Sequence, residues 1–460
     1  MFDSAATPSL ESWRRMVEKT LTGSDFTSLQ SRTRDGIIVE PLYDSRRDLL
    51  PLPSRGPGPW KIVQIVDDPD PERANEQALE DLRGGATGLA LRFAGAAAAA
   101  AFGLPPTEEA LQIALQDVDL ASIHLRMDPH PMAPEIANWL TDLIARRGIA
   151  PERADISFGL DPISVLAFQG NSVDPGEFVS SVLELQSASF RGGLATLDGR
   201  IFHEAGATEA QELAAIVAAG AWWLRALDSA GLPLKSALHM FEASLSADRD
   251  QLLSAAKFRA LRLLLTRIQE LCGAPPTVLK VHAETGRRMM TRADPHTNLL
   301  RTTIAAFAAG VGGADSIAIL PYTAALGLAD RSARALARNA QHILIEEAHL
   351  HRVADPAAGS GAVEALTDAL AERAWEEFQT IEREGGIIES LRSNGLPERI
   401  AEAREMLRRE LAGGAAPLVG ATAYRGPIEQ PSPAERELFV APPNSSWLSP
   451  IRLETLAATA

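Results

Sequence analysis

From Trp60 onward the chain alternates short apolar, β-rich runs with longer stretches in which apolar residues recur every three to four positions. Eight runs stand out: "WKIVQIV" (60–66), "TGLALRF" (87–93), "ASIHLRM" (121–127), "DISFGL" (155–160), "LATLDGRI" (194–201), "KSALHMF" (235–241), "TVLKVH" (277–282) and "DSIAIL" (315–320). Segments of helical period separate them, among them "PERANEQALEDLRGG", "EAQELAAIVAAGAWWLRALDSAG" and "NLLRTTIAAFAAGVGG". Eight strand-then-helix units in succession predict an α/β fold, a parallel (β/α)8 TIM barrel. A doubly wound sheet is disfavoured because no phosphate-binding glycine fingerprint follows the first strand.

The pattern outside the barrel is different. Residues 9–20 have the period of an amphipathic helix, and the stretch up to 59 is extended and rich in proline and glycine, so 1–58 is expected to be a helix plus an arm. The barrel is expected over 59–350. Residues 351–460 add two helices, "VEALTDALAERAWEEFQTIEREGG" and "PERIAEAREMLRREL", and a Pro-rich tail.

Composition narrows the functional classes. Lys and Arg number 44 against 60 Asp and Glu, a formal charge of −16 with no basic block, so nucleic acid and anionic membranes are not expected partners. The N-terminus lacks the charged and apolar regions of a secretory signal, and "AGAAAAAAFGL" (94–104) is too short and weakly apolar to span a bilayer. One cysteine, Cys272, excludes an internal disulfide; it reads as a small buried hydrophobe at a helix end, and the expected compartment is cytoplasmic. The turn after the fifth strand, "LDGRIFHEAGATEAQELA" (197–214), holds His203 and Glu204 where barrel enzymes keep catalytic groups.

The blocks "EPLYDSRRDL", "HEAGATEAQELA", "NLLRTTIAAFAAGVGGADSI", "RSARALARNAQHIL" and "VADPAAGSGAVEALTDALAERAWEEFQTIEREGG" occur in order between Trp13 and Tyr424. Together they resemble the adenosylcobalamin-dependent acyl-CoA mutases typified by methylmalonyl-CoA mutase. The resemblance implies a barrel that threads the CoA pantetheine along its axis and faces a cobalamin held by a flavodoxin-like domain. Packed barrel walls suit radical chemistry because they exclude water.

The departures from that family matter as much. Where catalytic members carry Gly-Tyr-His-Met, this chain has Gly199-Arg200-Ile201-Phe202, so Ile201 stands in place of the hydrogen-bond donor to the thioester. Losing one preorganised donor typically lowers a rate by about 10² to 10³. Where they carry Arg-Gln-Tyr, this chain has Val63-Gln64-Ile65, so the tyrosine between cofactor and substrate is replaced by Ile65. His203 falls on the family's glutamine, and with Glu204 it reads as part of a turn and helix start.

The positions that line the CoA channel in the family carry His124, Arg126, Lys280, His282 and Asp315 here. These imply a plugged barrel, with Glu242 or Asp315 available to neutralise Arg126; alternatively His124 and Arg126 face the helices. The single Asp-x-His, Asp128-Pro129-His130, lacks the glycine and βα context of a cobalamin loop. No cobalamin-binding domain is expected within 351–460.

The chain is therefore expected to bind no cofactor and no metal. It is expected to be a non-catalytic small subunit that stabilises a large catalytic subunit as a heterodimer, with adenosylcobalamin in that partner. The alternative is a substrate-binding mutase subunit served by a separate cobalamin protein, and an unrelated barrel enzyme stays open behind both.

Overall fold

A computed structural model of the chain describes residues 9–46, 52, 55–99, 102–170, 173–426, 436–437 and 448–458. Its centre is a parallel sheet of eight strands: β1 (Lys61–Val66), β2 (Gly88–Leu91), β3 (His124–Met127), β4 (Asp155–Ser157), β5 (Ala195–Asp198), β6 (Phe241–Ala247), β7 (Lys280–Thr285) and β8 (Ser316–Ala318). The order is β4-β3-β2-β1-β8-β7-β6-β5, so the first and last strands pair directly. Between β4 and β5 the Phe158 N–H donates to the Gly193 carbonyl (3.1 Å) and the Thr196 N–H to the Leu160 carbonyl (3.0 Å). The sheet thus closes into the expected (β/α)8 barrel, and closure leaves no sheet edge to protect.

The sixth strand is not the run at 235–241. Leu234–Ala237 is a helical turn behind Pro233, Leu238–Met240 a tighter turn, and the strand is "FEASLSA" at Phe241–Ala247. Glu242, Ser244 and Ser246 fall on the side facing the axis. A search for apolar runs misses such a strand because the interior of this barrel is polar.

Local chemistry sets the helix starts. Asp70 caps the helix Pro71–Arg83, Asp250 caps Gln251–Leu271, and Asp330 caps Arg331–His342. After β5 and the short helix Arg200–Glu204, Thr208 and Gln211 form a reciprocal capping box that opens Glu209–Ser229. Cys272 ends the helix Gln251–Leu271 and is partly exposed, so its expected burial is incomplete.

The helix Gly361–Arg383 lies against Glu209–Ser229 and Gln251–Leu271, held by Arg259, which bonds Glu364 at 2.7 Å and also pairs with Asp355. Ile387–Arg392 and Gly395–Ala412 follow it. At the other end, helix Leu10–Thr20 contributes no buried residue, whereas the arm behind it is tied to its own barrel. Asp35 accepts the Ala210 N–H at 3.4 Å and Arg46 pairs with Asp368 at 2.5 Å, while Phe26 is buried with Trp13 and Arg14 of that helix against its ring. The arm passes so close to Gly361 that a Cβ there would collide with the Asp44 carbonyl. Among the described residues no helix is long and apolar enough to cross a membrane.

Candidate functional site

Strand alternation sends one set of side chains to the helices and the other to the barrel axis. In most barrels the axis is filled by branched aliphatics. Here Leu89, Leu125, Ile156, Leu197, Val281 and Ile317 face outward into the buried core, and the axis carries ions and hydroxyls in three tiers.

At the N-terminal mouth Asp155 of β4 accepts from Lys61 of β1 and, at 2.9 Å, from Lys280 of β7; His124 Nδ1 lies 3.3 Å from the same carboxylate. These bonds cross the axis, so the side chains point inward. The mouth is a cup of about 240 Å³, lined also by Arg55, Glu242, His282, Asp315 and Ser316. Burial, reinforced by the neighbouring Lys280, lowers the Lys61 ammonium to about 8.

The middle tier is built on Arg126, which is fully buried. Its guanidinium bonds Glu242 at 3.3 Å and Ser244 Oγ at 2.9 Å, and Ser157 donates to the other oxygen of Glu242. His282 Nδ1 meets Ser316 Oγ at 2.8 Å. Burial first, and then the cations around them, hold the His124 and His282 imidazoles well below their ordinary value, so both are neutral. Asp315 instead accepts from Arg262 (3.0 Å) and from the Val281 N–H (2.7 Å). Glu242 is thus the acid that neutralises Arg126, and the helix-facing alternative for His124 and Arg126 does not hold.

The upper tier seals the C-terminal mouth, where barrel enzymes hold their substrates. Arg200 bonds Asp128 (2.7 Å), Glu284 (2.7 Å) and Asp198 (2.5 Å), and Arg92 bonds Asp128 (2.5 Å) and the same Glu284. Two guanidinium groups and three carboxylates, all buried, make one lattice. Burial alone would raise the Asp128 and Glu284 carboxyls, but Arg200 and Arg92 hold both below the usual range.

Ile65 and Ile201 lie at this same end. Ile65 lines a cavity of only about 30 Å³ with Asp67, Phe102, Arg287 and Ile319, room for one water. Ile201 is buried in the short helix after β5, beside the Arg200 that occupies the mouth. His203 lies behind the strands, fully buried, 3.4 Å from Glu212 and 3.5 Å from Asp248. The Glu204 carboxylate accepts the N–H groups of Arg287 (2.9 Å) and Arg288 (2.8 Å). Both belong to the packing of the turn.

The Asp128-Pro129-His130 stretch is already committed to other partners. His130 spends Nδ1 on the Met132 N–H (3.0 Å) and Nε2 on the Ala94 carbonyl (3.0 Å), leaving neither nitrogen for cobalt, while Asp128 is locked in the lattice. Among the described residues no group of three or more His, Cys, Asp or Glu is arranged to hold a metal.

The reading from sequence passed over Arg92, Asp155, Asp198, Arg200 and Glu284, which complete the tiers. A signal was present: Lys280-x-His282-x-Glu284 on β7 and His124-x-Arg126-x-Asp128 across β3 and its end put an ionisable side chain at every second position.

Comparison with known proteins agrees with this frame. The methylmalonyl-CoA mutase family matches residues 106–439. The methylmalonyl-CoA mutase small subunit of Streptomyces virginiae is 38% identical over 458 residues, covering 94% of this chain and 73% of the relative. The small subunit of Propionibacterium freudenreichii subsp. shermanii is 34% identical over 409 residues, 83% of this chain and 63% of the relative. The methylmalonyl-CoA mutase of Escherichia coli K12 is 26% identical over 461 residues, 90% of this chain and 64% of the relative, so the chain spans somewhat under two thirds of the last two. With a barrel, an ordered set of sequence blocks and relatives all pointing one way, the chain belongs to the methylmalonyl-CoA mutase family.

Proposed function

We propose that this chain is the small subunit of a heterodimeric, adenosylcobalamin-dependent methylmalonyl-CoA mutase. In this reading its own barrel is non-catalytic, and it stabilises a large subunit that binds the cofactor and interconverts methylmalonyl-CoA and succinyl-CoA. The single observation that carries it is the lattice of Arg92, Arg200, Asp128, Asp198 and Glu284 across the mouth through which cofactor and substrate would have to meet. The names of the similar small subunits support the assembly. A substrate-binding subunit served by a separate cobalamin protein would need an open axis, and three tiers of paired ions argue against one. A lone cysteine and the acidic surface fit a cytoplasmic setting.

The test is reconstitution with the large subunit from the same source. The large subunit should bind adenosylcobalamin and turn over methylmalonyl-CoA, with a higher melting temperature when this chain is present. Mutase activity or stoichiometric adenosylcobalamin uptake by this chain alone would overturn the reading.

A further inference from the structure

A barrel helix that faces water normally carries charge on its outer side. The helix Pro71–Arg83 does so, exposing Glu72, Glu76 and Arg83. The helix Thr297–Val311 does not. Its fifteen residues include one charged side chain, Arg301, and that one is buried, bonded to Thr291 (3.0 Å), Asn298 (2.8 Å) and the Val419 carbonyl. Its inner face is Asn298, Thr302, Ala305, Ala306 and Ala309. Its outer stripe, at spacings of four, three and four residues, is Leu300, Ile304, Phe307 and Val311; Leu300 is 66% exposed and Ile304 42%.

The next helix, Arg331–His342, continues the panel. Arg331, Arg334, Arg338 and His342 bind Glu80, Asp81 and the Gly84 carbonyl, which turns that side toward Pro71–Arg83. At 100° per residue the opposite shoulder, next to Thr297–Val311, holds Leu336, Ala340 and Ile343, with Leu336 42% and Ile343 51% exposed. Two adjoining helices thus present aliphatic stripes to solvent with no charge between them.

Resting on the heterodimer reading above, we propose that this panel is the surface on which the large subunit docks, through an apolar and uncharged face of its own. Area decides against two copies of this chain paired through this panel alone. Helices about 20 Å long with axes about 10 Å apart make a panel of roughly 400 Å². A two-fold pairing of the panel with itself would bury about 800 Å², the size of a packing contact, whereas a stable interface takes about 1,600 Å². A partner that extends past the panel is needed.

Two measurements on the full chain test this. A photo-crosslinking amino acid at position 300 or 336, in chain co-expressed with the large subunit, should join to large-subunit peptides, and one at position 76 should not. Crosslinks to a second copy, or within the same chain, would overturn the proposal. Leu300→Glu with Ile304→Glu should leave the melting temperature of the isolated chain unchanged and weaken association about thirtyfold or more. Undiminished association of that variant removes this surface while leaving the heterodimer standing; failure of the unaltered chain to associate at all removes both.

Discussion

Arg200 and Glu284, from just past β5 and from within β7, meet at 2.7 Å across the barrel, and the same Glu284 oxygen receives Arg92 from the end of β2. Three elements from different sides of the barrel therefore share one buried carboxylate. Removing one member leaves the others charged, buried and unpaired, which is far more damaging than never having placed them there. Arg200→Ala leaves Asp128, Asp198 and Glu284 facing a single Arg92. It should destabilise the fold by about 3–5 kcal/mol, read from urea denaturation.

Arg126→Ala should be destabilising by a similar amount, because Glu242 then loses its cation in a fully buried site. Replacing both, as Arg126→Met with Glu242→Met, should recover much of the loss, since an apolar pair of similar volume often matches a buried ion pair. A double variant no better than the single would show that Ser157 and Ser244 depend on the ions.

The neutral histidines give a pH dependence of known sign. His282 titrates below the ordinary 6.5 in the folded barrel, so the unfolded chain takes up the proton first as pH falls below that value. Its contribution to stability therefore decreases with falling pH, by up to about 1.4 kcal/mol per pH unit. His282→Gln, which keeps a partner for Ser316, should make the loss of stability between pH 7.5 and 5.5 shallower by roughly 1 kcal/mol. Parallel denaturation series at the two pH values measure it.

Restoring the family's groups should not restore chemistry. Ile65→Tyr with Ile201→His, supplied with free adenosylcobalamin, should show no mutase activity, because Arg92, Arg200 and their carboxylates still fill the mouth. Measurable turnover by the double variant would show that the lattice can open.

Deleting residues 1–24 should have the smaller effect on the melting temperature, since no residue of Leu10–Thr20 is itself buried and, among the described residues, the ring contacts it makes are those of Trp13 and Arg14 with Phe26. Deleting 1–58 should lower it clearly, because Asp35 is bonded to Ala210 of a barrel helix and Arg46 to Asp368 of the helix packed on the barrel. Gly361→Ala should have part of the larger effect by pushing the Asp44 backbone away. Thermal melts of the three variants order them.

The sequence by itself determined the barrel, because alternating apolar runs and helical periods are local signals that survive without tertiary information. It also carried the ordered blocks on which the resemblance to the family rests. It misplaced β6, whose inward serines and glutamate look like loop, and it passed over Arg92 and Arg200. Which polar residues are buried, and with whom, is a matter of closure: Arg92 and Glu284 are 192 positions apart and become partners only when eight strands wrap around one axis. That proximity decided between Glu242 and Asp315 as the partner of Arg126. A charge is tolerable at the centre of a barrel only if its counter-charge arrives from the far wall, and the position of the far wall is a property of the fold rather than of any stretch of the chain.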